Sequence, residues 1–227
     1  MKIGILQTGL IPTDLEGKFS DYPSMFKDLL AGQGFDFESW SVVEGEFPSG
    51  PEAADGWLIT GSRHGAYEDL PWIPPLENLI RGIVAADRPL IGVCFGHQII
   101  AQALGGKVEK FAGGWAVGPQ VYDFPGGKKT VQAWHQDQVV TLPKGAEVVG
   151  ANDFCRYAAL LYPGKAYTVQ PHPEYGDAFI QGLINTRGRG VVPDAQLDAA
   201  TARLGGPLDR AEIANQFARF FRERSLS

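Results

Sequence analysis

Apolar residues fall along this chain in short runs separated by longer amphipathic stretches. Ile3 to Leu6 is the first run and reads as a strand. From Tyr22 to Ala31, apolar positions at Tyr22, Met25, Phe26, Leu29 and Leu30 recur at helical spacing, and Gly32 and Gly34 supply the stop. Phe35 to Val43 and Gly56 to Thr60 read as further strands. Pro74 and Pro75 suit the first turn of a helix whose apolar face is Leu76, Leu79, Ile80, Ile83 and Val84, and Asp87-Arg88-Pro89 ends it. Pro89 to Val93 is almost continuously apolar, as a central strand covered on both faces requires. A helix begins beside Gly96 and runs to about Leu104, where Gly105-Gly106 stops it. Between Val108 and Thr168, short strand-like runs alternate with Gly- and Pro-rich turns, which predicts an antiparallel extension. Two helical patterns close the chain, one with Ala178, Phe179, Ile180, Leu183 and Ile184, the other with Ile213, Phe217, Phe220 and Phe221. Arg187 to Arg210 is Gly-, Pro- and Ala-rich and reads as an irregular loop with room for one short helix. The alternation predicts an α/β fold, an open and mostly parallel sheet flanked by helices.

Length and composition narrow this picture. With 227 residues, 44% of them hydrophobic, one ordinary α/β domain spanning 1–227 is expected. A formal net charge of -6 gives no electrostatic reason to expect nucleic acid or an anionic membrane surface as a partner. Two cysteines, Cys94 and Cys155, are too few for a disulfide framework. The first residues lack the longer apolar core of a signal peptide, and no run approaches the ~20 apolar residues of a spanning helix. A cytoplasmic protein acting on a small molecule or another protein is the expectation.

The sharpest local feature is Gly92-Val93-Cys94-Phe95-Gly96-His97-Gln98, which ends an apolar strand and opens a helix. Glycines on both sides of a central residue permit a tight turn that pushes its side chain out above the sheet edge. A thiol there lies at a helix N-terminus, whose N–H groups favour thiolate, and the backbone N–H of Phe95 points to where an oxyanion would form. A small buried hydrophobe at a strand end is the competing reading of Cys94. The carboxyl end of a strand in an open α/β sheet weighs toward a site. Cys155, beside Phe154 and Arg156 in an expected antiparallel strand, reads as structural.

Of the four histidines, His172 has the strongest context for a base. In Pro171-His172-Pro173-Glu174 the prolines fix the backbone, and Glu174 is close enough to hold one ring nitrogen while the other takes a proton. A solvated turn is the alternative for such a Pro-rich stretch. His97, one helical turn beyond Cys94, suits a structural role. His64 falls in a polar loop and suits either a pocket mouth or a solvated position, and His135 in Trp134-His135-Gln136-Asp137-Gln138 suits a substrate wall or a strand end. No metal or other cofactor is expected, because the histidines show no compact ligand spacing.

Four segments in order, Ile59-Thr60-Gly61-Ser62, Gly92 to Gln98, His135-Gln136-Asp137 and Pro171 to Glu174, resemble the class I (triad) glutamine amidotransferases. The resemblance runs from the first strand to about Gly176 and leaves 187–210 outside. It implies a flavodoxin-like three-layer fold and a triad of Cys94, His172 and Glu174 that cleaves a γ-glutamyl amide through a thioester on Cys94. It further implies an oxyanion hole of backbone N–H groups from Gly61, Ser62 and Phe95, and substrate contacts at Gln98, His135, Gln136 and Asp137. Family members usually carry consecutive glycines where this chain has Gly61-Ser62-Arg63, a change that keeps backbone donors and alters the pocket mouth.

Within that family the Gly61 to Tyr67 segment looks like the γ-glutamyl peptidase branch, which implies a free-standing hydrolase of glutamine or γ-glutamyl compounds. The alternative is the ammonia-donating glutaminase subunit of a two-chain amidotransferase such as GMP synthetase, with a synthetase as partner chain. No G-x-x-x-x-G-K-S/T phosphate loop is present to serve such a synthetase in cis. A third reading is a non-catalytic redox or regulatory protein on the same fold, with Cys94 as a reactive thiol.

Overall fold

Ile3 and Ile5 point to one side of the first strand and Leu6 to the other, so β1 (Lys2–Leu6) is buried on both faces. The computed structural model describes residues 1–226. After β1 come α1 (Tyr22–Leu29), β2 (Asp36–Trp40), β3 (Gly56–Ile59), α2 (Ile73–Ala85), β4 (Leu90–Val93) and α3 (Phe95–Ala103). The middle of the chain holds β5 (Lys107–Lys110), β6 (Ala116–Phe124), β7 (Gly127–His135), β8 (Asp137–Thr141), β9 (Glu147–Gly150), β10 (Ala159–Tyr162) and β11 (Ala166–Val169). The helices α4 (Asp177–Leu183), α5 (Asp194–Thr201) and α6 (Arg210–Glu223) complete it.

The main sheet has the order β2-β1-β3-β4-β11-β10-β9. Its strands from β2 to β11 run parallel, and β10 and β9 are antiparallel at one edge. β6 and β7 form a hairpin, and β5 pairs with β8 as a second small antiparallel sheet. The fold is therefore the open, mostly parallel sheet between helices that the hydrophobic pattern predicts, with antiparallel additions.

Two layers cover the sheet. Trp57 and Ile59 pack with Leu76, Ile80 and Ile83 of α2 and Ile99 and Ile100 of α3 on one face. On the other face Ile3, Ile5, Leu58, Ile91 and Val93 meet Phe26 of α1 and Phe217, Phe220 and Phe221 of α6. This division follows from strand geometry, in which adjacent side chains alternate between faces.

Three details depart from the pattern read along the chain. The region from Val108 to Thr168 is not wholly an antiparallel extension, because β11 lies in the middle of the main sheet, parallel to β4. The expected strand from Phe35 to Val43 ends at Trp40, and Val42–Glu44 forms a short 3-10 turn closed by Gly45 at positive φ. Cys155 lies in a turn and not a strand. The Asn152 side-chain oxygen accepts from the N–H groups of Phe154 and Cys155 at 3.1 and 2.7 Å, which curls the chain there. Within 187–210 the residues Asp194–Thr201 form α5, whose Leu197 and Ala200 pack with Val117 of β6.

Candidate active site

Four loops meet at the carboxyl edge of the parallel strands, following β1, β3, β4 and β11. Cys94 comes directly after β4 as the cap of α3, with φ 53° and ψ -105°. A non-glycine residue in that region is strained by about 1–3 kcal/mol and persists only when its surroundings enforce it. Here the enforcement is visible: the Cys94 N–H donates to the Val169 carbonyl at 2.9 Å, and the Gly96 N–H donates to the Thr60 carbonyl at 3.1 Å. The flanking glycines are required by space as well as by the bend. A Cβ on Gly96 would lie 2.3 Å from the Ile59 carbonyl oxygen, and one on Gly92 would lie 2.6 Å from the Gly96 backbone. Phe95, as the first residue of a helix, has no intrahelical acceptor for its N–H.

The His172 loop reaches Cys94 from β11. His172 donates its backbone N–H to the Gln132 carbonyl of β7 at 2.8 Å, which pins the loop before the side chain acts. Its ring Nδ1 is 2.6 Å from Glu174 Oε1, and its face stacks on Tyr175 with centroids 4.1 Å apart and planes 7° apart. Gly61, from the loop after β3, completes the approach. A Cβ there would lie 2.9 Å from His172 Cε1 and 3.7 Å from Cys94 Cβ, so only glycine lets the imidazole and the cysteine close over this turn. Cys94, His172 and Glu174 are all nearly shielded from solvent.

Electrostatics follows from that burial. Desolvation alone would pull the His172 ring down, but the Glu174 carboxylate and Cys94 beside it more than offset this and push it up to about 10. His135 and His97 have no such carboxylate, and burial pulls both down to about 3. The three imidazoles are thus sorted into one that holds a proton and two that stay neutral. His97 lies apart from this cluster: its Nδ1 is 2.8 Å from Thr168 Oγ1 in the core.

The turn at Gly61-Ser62 is oriented by hydroxyls. Thr8 and Thr60 each place Oγ1 3.1 Å from the Gly61 carbonyl oxygen. In a trans peptide the next N–H points the opposite way, so the Ser62 N–H is turned from that pair.

Cys94 opens into a cavity of about 390 Å³ that is also lined by Gln98, His135, Gln136 and Asp137. Gln98 donates through Nε2 to the Asp137 carbonyl at 2.9 Å and to Gln170 Oε1 at 3.1 Å, so α3 and β8 hold one wall rigidly. Gln136 donates to the Phe111 carbonyl at 3.3 Å. Asp137 is half-buried, which raises its pKa although Tyr67 and Lys110 oppose the rise. His64 lines the same cavity, held 3.1 Å from Glu68. Of the site residues expected from the chain, Ser62, Cys94, Gln98, His135, Gln136 and Asp137 thus share this cavity wall, whereas Gly61, Phe95, His172 and Glu174 are not among its lining residues. Among the described residues no group of three or more His, Cys, Asp or Glu is placed to hold a metal ion, and no helix is long and apolar enough to cross a membrane.

Some contributors carry no signal of their own in the sequence. Arg210 opens α6 and donates Nε to the Pro173 carbonyl at 2.7 Å and Nη2 to the Glu174 carbonyl at 2.9 Å, gripping the main chain of the His172 loop. Asp177 accepts from Gln132 Nε2 at 2.7 Å and from the Gly205 N–H at 2.8 Å, so 187–210 is fastened to the same strand that holds His172. Trp115, Trp134 and Arg187 add an aromatic and cationic part to the cavity wall.

A family model described as glutamine amidotransferase class-I matches residues 52–178, which carry both Cys94 and the His172 loop. Gamma-glutamyl peptidase 4 of Arabidopsis thaliana is 30% identical over 184 residues, covering 74% of this chain and 73% of that protein. A glutamine-hydrolyzing GMP synthase of Pyrobaculum aerophilum is 34% identical over 141 residues, 59% of this chain but 27% of that protein. The crystal structure of a glutamine amido transferase from Methylobacillus flagellatus shares the fold with a TM-score of 0.74, at 23% identity over 97% of this chain and 92% of that one.

Proposed function

Because this chain belongs to the class I glutamine amidotransferase family, we propose that it hydrolyses the γ-glutamyl amide bond of glutamine or of a γ-glutamyl compound through a thioester on Cys94. The observation that carries this reading is the Glu174-bound imidazole of His172 set beside a cysteine on a strained turn at the sheet's carboxyl edge.

In the first half-reaction His172 takes the Cys94 proton and the sulfur adds to the amide carbon. The oxygen gains negative charge against the N–H groups of Phe95 and of the Gly61-Ser62 turn. The imidazolium gives its proton to the nitrogen, the C–N bond breaks, and an amine or ammonia leaves an acyl thioester behind. Water then attacks that carbon as His172 takes its proton, the C–S bond breaks, and glutamate leaves while sulfur regains its proton through the ring. Glu174 fixes the tautomer and stabilises the imidazolium. A ring whose pKa is raised to about 10 favours the ion pair with sulfur, the state needed for attack. Gln98, His135, Gln136 and Asp137 supply the wall on which the γ-glutamyl group is held.

A panel assay of the isolated chain with glutamine, glutathione and simple γ-glutamyl amides tests this reading. Turnover by the wild type, lost in Cys94→Ala, is the expected result. The likeness to a GMP synthase favours a second reading, a glutaminase subunit that serves another chain. Glutamine cleavage that starts only when a synthetase protein is added would favour that reading and remove the first.

A further inference from the structure

Beside the cavity over Cys94 lies a second one of about 260 Å³, and Arg63, His64 and Arg187 line both. The second cavity contains none of Cys94, Gln98, His135, Gln136 or Asp137, and its far wall includes Leu10, Ile11 and Val43. Glutamine, which loses only ammonia, has nothing to place there.

The shared wall is unusual in charge. Glu68 is taken up by His64 at 3.1 Å and by the Gly65 N–H at 2.7 Å, and Asp137 faces Tyr67 and Lys110. Glu16 is, among the described residues, the one carboxylate residue lining the second cavity, against two arginines. Among the described residues no hydrogen bond or ion pair engages the guanidinium of Arg63 or Arg187. Two positions on from Arg187, Arg189 shows the ordinary arrangement, bound to Asp194 at 2.8 Å and to Asp198 at 3.1 Å. Arg187 is half-buried, and it projects from a π-helical turn, Ile184–Gly188, a rare geometry that is frequent at functional sites. A half-buried guanidinium that no hydrogen bond or carboxylate engages retains part of its desolvation cost until an anion reaches it, and its planar fork matches a carboxylate.

Resting on the hydrolase reading above, we propose that Arg187, together with Arg63, binds a carboxylate on the leaving amine, so that the preferred substrate is a γ-glutamyl amino acid or peptide. The γ-glutamyl half lies along the Gln98 to Asp137 wall, the scissile bond lies at Cys94, and the departing amino acid extends between the two arginines toward Leu10, Ile11 and Val43. Arg187 is then a specificity residue, acting on the leaving group and not on the triad.

The test compares kcat/KM of the full chain for γ-glutamyl-alanine, γ-glutamyl-alaninamide and glutamine. The first two differ only in the carboxylate at issue. Wild-type protein is expected to favour the acid over the amide by about tenfold or more, the worth of one charge-assisted hydrogen bond. Arg187→Met should reduce that preference to within about twofold, Arg63→Met should reduce it in the same direction, and Arg189→Met should preserve it. Melting temperatures of the variants establish that each is folded. A wild-type preference near one, or a preference that survives Arg187→Met, overturns the proposal. Equal losses for acid and amide in Arg187→Met also overturn it, since they would place Arg187 on the α-carboxylate common to both. Absence of turnover with all three compounds would instead sink the hydrolase reading, and this proposal with it.

Discussion

Three histidines in one buried region are distinguished by whether a carboxylate stands beside the ring. Glu174 keeps His172 charged, whereas burial keeps His97 and His135 neutral, and the charge on His172 adds to this at His135. The consequence for stability has a definite sign. His97 and His135 are neutral in the fold down to about pH 3, but in the unfolded chain they take up protons near their ordinary 6.5. Between those values the unfolded state binds more protons, so stability falls as pH drops below about 6.5 and continues to fall toward 3. Each ring contributes up to about 1.4 kcal/mol per pH unit in that window. His172 acts oppositely: its folded pKa is raised, so its contribution is complete below about 6.5 and is lost as pH rises through about 10. Urea denaturation at pH 7, 6 and 5 is therefore expected to show a midpoint that decreases gently from pH 7 to 6, where release from His172 opposes uptake, and more steeply from pH 6 to 5, where the net uptake on unfolding approaches about two protons. A midpoint unchanged from pH 7 to 5 would mean that these two rings are not held neutral.

At the scale of elements, the strand-turn-helix from β4 to α3 carries the site. It was legible in the chain because everything that makes it is local: an apolar strand, glycines at 92 and 96, and a cysteine between them. The fit against β3 is a consequence only the fold reveals, since it depends on the Ile59 carbonyl lying where a Gly96 side chain would go. Gly96→Ala is expected to lower stability by about 3 kcal/mol or more, as backbone and not a flexible side chain must yield. Chemical denaturation would register this, and a loss below about 0.5 kcal/mol would show that β3 and α3 are less tightly apposed. The antiparallel reading of 108–168 failed at β11 for a related reason. The run Ala166–Val169 is buried on both faces, and nothing in four residues states that its neighbour is β4, more than seventy positions earlier.

For the whole molecule, what sequence could not convey is what distant segments lend to the site. The order of the Gly61, Cys94, His135 and His172 segments was readable, because each has its own local pattern of glycine, proline and polar residues. Arg210 has no such pattern. It matters because α6 packs on the sheet so that its first residue reaches the Pro173 and Glu174 carbonyls. Similarly, 187–210 looked irregular because its glycines and prolines break periodicity, yet it brings Arg187 to the cavity and is tied through Gly205 to Asp177. The sheet thus positions Cys94 and His172, while the C-terminal quarter fixes the His172 loop and part of the cavity wall.

The central claim, that the sulfur at the end of β4 is the nucleophile, is tested most directly by mass spectrometry of the chain after reaction with a glutamine-like chloroketone. The account predicts one adduct per chain, on Cys94, with loss of activity in step, and no adduct on Cys155, whose thiol burial pushes up to about 12. Modification of Cys155 in its place, or inactivation with Cys94 untouched, would contradict it.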